Sequence, residues 1–288
     1  MQVAESERAH FDTALRLTAI ALLLRPMGPW FVRPGILALA VVAIVFPRAL
    51  RRPALWGGVA VLIAVRILED WPLADNHIYL LCYWALGVAV SLRTADAPRA
   101  LASTSRWLLG LAFAFAVLWK AVLAPDFLDG RFFRVTFLTD PRFGAAAQLI
   151  GGLSAEELEQ NRRALERLPD GAELLEPLRV HEPVRLQALA RASTWGILGL
   201  EAAVALLMLA PARRDLAFMR HGVLLFFCGV TYAFAPVAGF GWLLVVMGLA
   251  QLEPRHLWWG RAYLGMFLVV IFYDEIPWVD LLLDIVRA

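Results

Sequence analysis

Cysteine and lysine are scarce in this 288-residue chain, and neither sign of charge is in large excess. The two cysteines, Cys82 and Cys228, both lie in apolar runs, so neither a disulfide framework nor a thiolate metal site is expected. Histidines and carboxylates also show no ligand-like spacing, which predicts that no metal is bound. With 27 basic and 25 acidic residues the net charge is only +2, which excludes the strong basic bias of nucleic-acid-binding proteins.

A cleavable signal peptide is also missing from the pattern of the first residues. Residues 1–10 are polar and lack the basic start, short apolar core and small-residue cleavage site of such a peptide. We therefore expect the first apolar run to remain in the mature protein.

Apolar residues, in contrast, make up 60% of the chain, against roughly 45–50% in soluble domains. Runs of about 20 apolar residues, or fewer where protein shields them, are typical of membrane-spanning helices. The sequence therefore predicts an all-α fold, a polytopic transmembrane helix bundle of eight or nine spans in a single domain over residues 1–288. The candidate spans are residues 13–32, 35–47, 54–69, 77–92, 107–124, 190–210, 216–235, 237–251 and 261–274.

The arginines between these runs predict an orientation. Short cytoplasmic loops are enriched in Lys and Arg, and three loops that alternation places on one side carry Arg48, Arg51, Arg52, Arg93, Arg99, Arg106, Arg213 and Arg214. The loop that contains Glu69, Asp70 and Asp75 is acidic and falls on the other side. The N-terminus is therefore expected in the cytoplasm, and the insertion at residues 125–189 outside.

The external insertion contains one clear helix signal. In LSAEELEQNRRALERL, residues 153–168, Ser154 followed by Glu157 fits a capping box. One apolar face is formed by Leu153, Leu158, Leu165 and Leu168. The pattern predicts an amphipathic helix lying over the bundle, either a packed connector or a lid over a substrate.

Lys120 is the only lysine in the chain, and it lies inside an apolar run. A buried lysine can lose its proton and act as a base, whereas an arginine effectively cannot. The predicted topology puts His77 and Lys120 at the same membrane depth near the external face, where Asn76 or His77 could orient a hydroxyl group or bind an oxyanion. Alternatively, Lys120 stretches to the interface and keeps its charge.

Two further residues allow more than one interpretation. Glu201 lies near the middle of the run at 190–210, where a carboxylate is either functional or held in an ion pair, with Arg66 as the candidate partner. A relay between Glu201 and Arg66 would suit a transporter, although no internal repeat supports that function. Trp119 fits either the aromatic belt at a membrane interface or the wall of a pocket for a planar ligand.

Two motifs resemble the HTTM (horizontally transferred transmembrane) family, which includes the vitamin K-dependent gamma-glutamyl carboxylase and its bacterial relatives. The first is WPLADNHIYLLCYWALGVAVSL, residues 71–92, with the family's asparagine-histidine-tyrosine-leucine stretch. The second is FAVLWKAVLAPDFLDG, residues 115–130, with its lysine, aspartate-aromatic pair and glycine. A weaker similarity continues through residues 190–214, so the resemblance covers about residues 10–275.

The resemblance implies a chemistry and a set of site residues. In the family's carboxylases, a membrane-embedded lysine deprotonates vitamin K hydroquinone, oxygen adds, and the basic product removes a proton from a glutamate to which carbon dioxide then adds. Lys120 matches the base, Asn76 and His77 match the residues that assist the quinol oxygen, and Tyr79 belongs to the same motif. Trp119 and Tyr79 are the candidate cofactor-binding residues.

These observations predict a membrane enzyme of the bacterial inner membrane with its site on the external side. Reduced vitamin K or menaquinol with O2, and CO2 if carboxylation occurs, would be its cofactors. Membrane lipid, the quinol and a secreted peptide or protein would be its partners, and nucleic acid would not. Oxygen-dependent quinol oxidation or epoxidation is the leading expectation, ahead of glutamate carboxylation. The alternative is a non-catalytic HTTM protein that acts in export, maturation or immunity.

Overall fold

The computed structural model describes residues 2–166, 180–211, 216–234, 239–253, 257–273 and 275–276. Within these ranges the regular structure is helical and no strand is present, which confirms the all-α class. In chain order the α-helices are α1 (Gln2–Leu24), α2 (Arg33–Val45), α3 (Pro53–Glu69), α4 (Asn76–Ser91), α5 (Ala97–Leu118), α6 (Pro125–Leu128), α7 (Arg131–Thr139), α8 (Gly144–Leu149), α9 (Ala155–Ala164), α10 (Val184–Leu209), α11 (Ala217–Phe234), α12 (Phe240–Leu249) and α13 (Leu257–Ile271).

A helix occupies each of the nine predicted apolar runs, but several ends differ from the prediction. α1 ends at Leu24, immediately before the Arg25–Pro26 interruption, because proline removes a helical hydrogen bond and clashes with the preceding turn. α5 and α10 both begin before their apolar runs, since polar residues continue each helix. Three predicted residues, Leu168, Arg213 and Arg214, lie outside the described ranges.

Two helical stretches, Ala97–Leu123 and Val184–Leu209, are long and apolar enough to cross a bilayer. Only 17% and 28% of their most apolar windows are buried within the protein, whereas the core helix of a soluble protein would be mostly buried. The remaining apolar helices are shorter. α12, with 10 residues, rises about 15 Å, which is half of the hydrocarbon thickness of a bilayer.

The chain forms two compact units, and the boundaries fall inside α5 and α10. The first unit comprises Met1–Phe113 and Val204–Ala288. Its helices α3 and α4 lie side by side, α1 contacts α2 and α12, and α12 contacts α11 and α13. Apolar side chains fill this core, and the indole of Trp84 donates a hydrogen bond of 3.1 Å to the hydroxyl of Thr18.

α12 is the central helix of the first unit. Every residue of Gly241–Leu249 is buried, as expected for a helix that is apolar all round. Its two glycines allow close approach, because a Cβ atom at Gly241 would lie 2.1 Å from the ring of Tyr232 and one at Gly248 would lie 2.5 Å from the ring of Tyr263. A substituent at either position would force the facing tyrosine away from the helix.

The second unit, Ala114–Ala203, contains the predicted insertion at 125–189 and the adjoining parts of α5 and α10. Its helix α9 begins with the predicted capping box, in which Ser154 and Glu157 bond to each other's backbone N–H groups. Leu153 and Leu158 are buried beneath it, as the amphipathic pattern predicts. The short helices α6, α7 and α8 precede α9, and no sequence pattern had indicated them.

Polar contacts hold the segment that immediately precedes α10 against α7 and α9 of this unit. The amide of Asn161, which is fully buried, donates to the carbonyl of His181 at 2.8 Å and accepts from its backbone N–H at 2.7 Å. Next to it, Glu182 forms an ion pair with Arg134 of α7. These contacts fix residues 181–182 immediately before α10 begins.

Candidate functional site

Lys120 lies at the point where the long helix α5 changes its geometry. Its last turn widens into a π-helix over Trp119–Leu123, and Ala124 then leaves the helical conformation. Pro125 explains this end, because the residue before a proline is disfavoured in the helical region. Such π-turns are rare and are found frequently at functional sites.

The ammonium group of Lys120 forms an ion pair with Oε1 of Glu201, which lies in α10. The Lys120 side chain is 23% exposed and that of Glu201 is 8% exposed, so the carboxylate lies deeper in the protein than the amine. The nitrogen also lies 5.4 Å from the centre of the Phe127 ring, within the range of a cation–π interaction. The side chain of Lys120 therefore has both an anionic and an aromatic neighbour.

The second carboxylate oxygen of Glu201, Oε2, is buried and has no hydrogen-bond partner. An unsatisfied buried acceptor costs about 1–3 kcal/mol, and more if the group is charged. The arrangement therefore leaves one acceptor position open on the side chain that holds Lys120.

A cavity of about 380 Å³ adjoins the ammonium group. Its volume is at the lower end of the roughly 300–1,000 Å³ that is usual for small-molecule sites. The walls are almost entirely apolar, and the lining side chains are Trp119, Lys120, Ala124, Asp126, Phe127, Phe132, Phe133 and Ile197. Aromatic faces beside one ammonium group fit a flat ring that carries a weakly acidic hydroxyl group.

Exposed ion pairs lie beside the cavity, where α6 turns into α7. Arg131 contacts Asp126 at 2.7 Å and Asp129 at 2.6 Å. The backbone N–H of Arg131 also donates to Asp129 and holds the pKa of that carboxyl below its usual value. Gly130 adopts a left-handed φ of 83° between the two helices, a conformation that a side chain would strain.

Three of the other predicted site residues belong to the first unit. Asn76 is exposed and is the first residue of α4, while His77 and Tyr79 are partly buried on its first turn. The imidazole of His77 lies against Gly239, where a Cβ atom would come within 2.9 Å of the ring. Trp119 is beside Lys120 in the second unit. The joint site of His77 and Lys120 stays a prediction.

One predicted contact is different in the structure. Arg66 was the candidate partner of Glu201, but its guanidinium pairs with Asp70 one turn along α3, at 2.9 Å. Glu201 pairs with Lys120 instead. The interaction at i,i+4 on one helix needs no long-range fit, which explains why Arg66 is held locally.

Sequence reasoning missed the aromatic residues that surround the lysine. Phe127, Phe132 and Phe133 all line the cavity, and their rings contact one another at 5.3–5.7 Å between centroids. The signal was present as PDFLDGRFF, residues 125–133, in which three phenylalanines closely follow the lysine. The sequence also indicates Glu201 as a candidate functional residue, but it does not predict the contact of Glu201 with Lys120.

No family model matches the chain, and the comparisons with curated proteins and with solved structures also give no match. The resemblance to HTTM proteins therefore depends on the two motifs at residues 71–92 and 115–130 and on the weaker similarity at residues 190–214. Any functional conclusion has to come from the geometry around Lys120.

Proposed function

We propose that this chain is a polytopic membrane enzyme of the HTTM type that uses Lys120 as the base for oxygen-dependent oxidation of a quinol. The observation that carries this proposal is the position of Lys120 itself. The only lysine of the chain has its amine beside a cavity with aromatic walls, on a π-turn, in contact with a buried carboxylate. This arrangement suits a flat, weakly acidic ligand better than a metal ion or a phosphate group.

The proposed reaction consumes a quinol, such as reduced vitamin K or menaquinol, and O2, and it yields the quinone epoxide and water. The quinol gives up both hydroxyl protons, which end in the water, and it supplies the four electrons that reduce O2, two on oxidation to the quinone level and two on epoxidation. Lys120 takes the first of these protons from the quinol hydroxyl, and the ammonium form of Lys120 then stabilises the adjacent quinolate oxygen. Phe127, Phe132 and Trp119 hold the flat ring through their faces. Asn76, His77 and Tyr79 are assigned to the quinol by resemblance, and carboxylation of a secreted glutamyl peptide by CO2 would be a coupled second step.

The proposed membrane arrangement is a bundle of eight or nine spans in a bacterial inner membrane. The N-terminus would lie in the cytoplasm, with residues 125–189 and the Lys120 cavity on the external side. Many large apolar side chains are exposed on the helices, as lipid contact requires, including Val61 of α3, Val90 of α4, Phe115 of α5 and Leu206 of α10. Among the helices of the proposed spans, the two shortest, α2 and α12, decide between eight and nine.

Cysteine labelling tests this orientation, because both native cysteines are buried and can be replaced. Single cysteines at Asp96 and Glu159, both exposed, would be treated in whole cells with a membrane-impermeant maleimide. We expect labelling at residue 159 and none at residue 96 until the cells are opened. The reverse pattern would overturn the orientation.

A non-catalytic membrane protein is the second candidate, and the same ion pair favours it. A Lys–Glu contact between two apolar helices could serve only to hold them together. In that case Lys120→Arg would preserve function, because arginine keeps the charge and can pair with Glu201.

One experiment separates the two candidates: the measurement of O2-dependent epoxide formation from reduced vitamin K and from menaquinol by the purified protein. We expect wild type to form the epoxide and Lys120→Arg to lose roughly 100-fold or more in rate, as removal of a general base usually does. His77→Ala tests the residue assigned by resemblance. Arg163→Lys, an exposed substitution on α9 in the same unit, is the matched control and should retain the wild-type rate. If wild type turns over neither quinol, the enzymatic proposal is wrong.

A further inference from the structure

We infer that Glu201 is the final acceptor of the quinol proton, which reaches it through Lys120. This inference rests on the proposed function, since it concerns the fate of the proton that Lys120 removes. Glu201 does not line the cavity and is the more buried member of the pair, so it lies behind the lysine and acts through it. It is also the only acidic residue in α10.

The charge balance of the pocket supports this route. If Lys120 is an ammonium in the ion pair, it can take the quinol proton only by giving up one of its own. The N–H bond that faces Glu201 breaks as an O–H bond forms on the carboxylate, and the quinol O–H bond breaks as a new N–H bond forms. Lys120 then remains an ammonium group and pairs with the quinolate instead of with Glu201. One ion pair replaces another, so no uncompensated charge is created in an apolar site.

The unpartnered oxygen of Glu201 supports the same conclusion independently. In the ion pair, Oε2 is half of a buried carboxylate without a hydrogen-bond donor. Once a proton is bound, the group is neutral, and the penalty for an unsatisfied acceptor becomes smaller. A carboxylate with a purely structural role would be expected to have both oxygens satisfied, as Glu182 does, since both of its oxygens bind Arg134. Glu201 is therefore the member of the pair that gains by becoming protonated.

The test is an infrared difference spectrum of the full-length protein, with and without menadiol, recorded under anaerobic conditions so that no turnover occurs. We expect menadiol binding to produce the C=O band of a newly protonated carboxyl group, and glutamate labelled with ¹³C should shift that band. The band should be absent from Glu201→Gln and present in Glu182→Gln, which removes another partly buried glutamate of the same unit. The spectrum of the wild-type protein by itself shows whether a carboxyl group becomes protonated, so this result does not depend on the folding of any variant.

Two further signals distinguish a failure of this inference from a failure of the proposed function. The absorbance of the bound quinolate reports whether menadiol loses its proton at all, and a ¹⁵N-lysine label gives a single side-chain signal because Lys120 is the only lysine. We expect an ammonium signal before and after binding. If quinolate forms without the carboxyl band while the lysine changes from amine to ammonium, the proton stays on Lys120 and this inference is overturned, although the proposed function stands. If wild type binds menadiol and no quinolate forms, the proposed function itself fails.

Discussion

The two units of this protein bury charged groups in different ways. In the first unit, the guanidinium of Arg220 donates to three backbone carbonyls near the end of α10, those of Leu207, Ala210 and Pro211, at 2.6–3.0 Å. In the second unit, Lys120 faces a carboxylate that keeps one oxygen unpartnered. Arg220 satisfies acceptors that every helix end leaves open, whereas the Lys120 pair leaves an acceptor of Glu201 unsatisfied behind a lysine that lines a cavity.

The difference shows that burial of a charge does not by itself indicate function. A buried arginine that caps a helix has a structural role, because each of its hydrogen bonds satisfies a backbone carbonyl at the helix end. The Lys120–Glu201 pair has an open acceptor and a lysine that lines an aromatic cavity, and it is on this combination that the proposed proton transfer rests. The neighbours of a charged group, and what they still lack, are more informative than its depth.

The strongest way to break this comparison is to remove one member of the Lys120–Glu201 pair. Glu201→Leu leaves the ammonium without its counter-ion, and we expect the free energy of unfolding in detergent to fall by about 3 kcal/mol. The double variant Lys120→Met with Glu201→Leu removes both charges and should recover most of that loss, because apolar replacement of a buried pair is often neutral.

Glu182→Leu provides the control, since it breaks a more exposed pair and should cost about 1 kcal/mol. An unfolding free energy for Glu201→Leu equal to that of wild type would show that the buried pair contributes nothing to stability. The comparison between the units would then lose its energetic basis.

The second prediction concerns Arg220 of the first unit. Arg220→Met leaves the carbonyls of Leu207, Ala210 and Pro211 without this donor, and we expect a loss of about 2 kcal/mol in unfolding free energy. Arg220→Lys should recover about half, because a lysine cation still favours the negative end of the helix. Quinol turnover per folded molecule should be unchanged in Arg220→Lys. A loss of turnover there as large as in Lys120→Arg would erase the distinction between the two units.

The positions of the helices were predictable because they follow from local properties of the chain. Apolar runs and their interruptions are readable directly, and Arg25–Pro26 indeed marks the end of α1. The capping box of Ser154 and Glu157 depends on side chains three residues apart, so sequence alone contains all that it needs. The exact starts of α5 and α10 were missed, since polar residues outside the apolar runs are helical as well.

The contacts of the candidate site were less predictable because they depend on tertiary geometry. Lys120 and Glu201 are 81 residues apart, and their contact depends on the rotation and vertical register of two helices. Charge alone indicates Arg66 equally well as the partner of Glu201, although Arg66 in fact pairs with Asp70 on its own helix. The π-turn at Trp119–Leu123 has no sequence pattern of its own, and the short helices α6 to α8 are too brief for apolar periodicity to appear.

The third prediction tests the local capping of α9. Ser154→Ala removes the hydroxyl that accepts a hydrogen bond of 3.1 Å from the backbone N–H of Glu157. We expect the free energy of unfolding to fall by about 1 kcal/mol, as is usual for the loss of an N-cap side chain. Ser154→Asn, which can cap in the same way, should restore most of it. If both variants have the same stability, the hydroxyl does not support the helix.

The smallest expected effect comes from Glu157, whose carboxylate contrasts with that of Glu201 in the same unit. The Glu157 side chain is 40% exposed. The backbone N–H of Ser154 is the main reason why the pKa of Glu157 lies below the usual value, with the Ser154 side chain and His181 as further causes. A lowered pKa in the folded state means that ionised Glu157 stabilises the protein above its unfolded pKa of about 4.3. That contribution should be lost as the pH falls through the lower, folded value.

Glu157→Gln isolates this effect, because glutamine can still complete a capping box but carries no charge. We therefore expect the difference in Tm between wild type and Glu157→Gln to be constant between about pH 5 and pH 7, and to shrink towards zero as the pH falls below about 4.3. Thermal unfolding in detergent, followed by circular dichroism across this range, measures it. A difference that grows as the pH falls would mean that the folded state raises the pKa of Glu157. The contrast between a carboxylate held by a backbone N–H group and one held by a partly buried ammonium would then no longer stand.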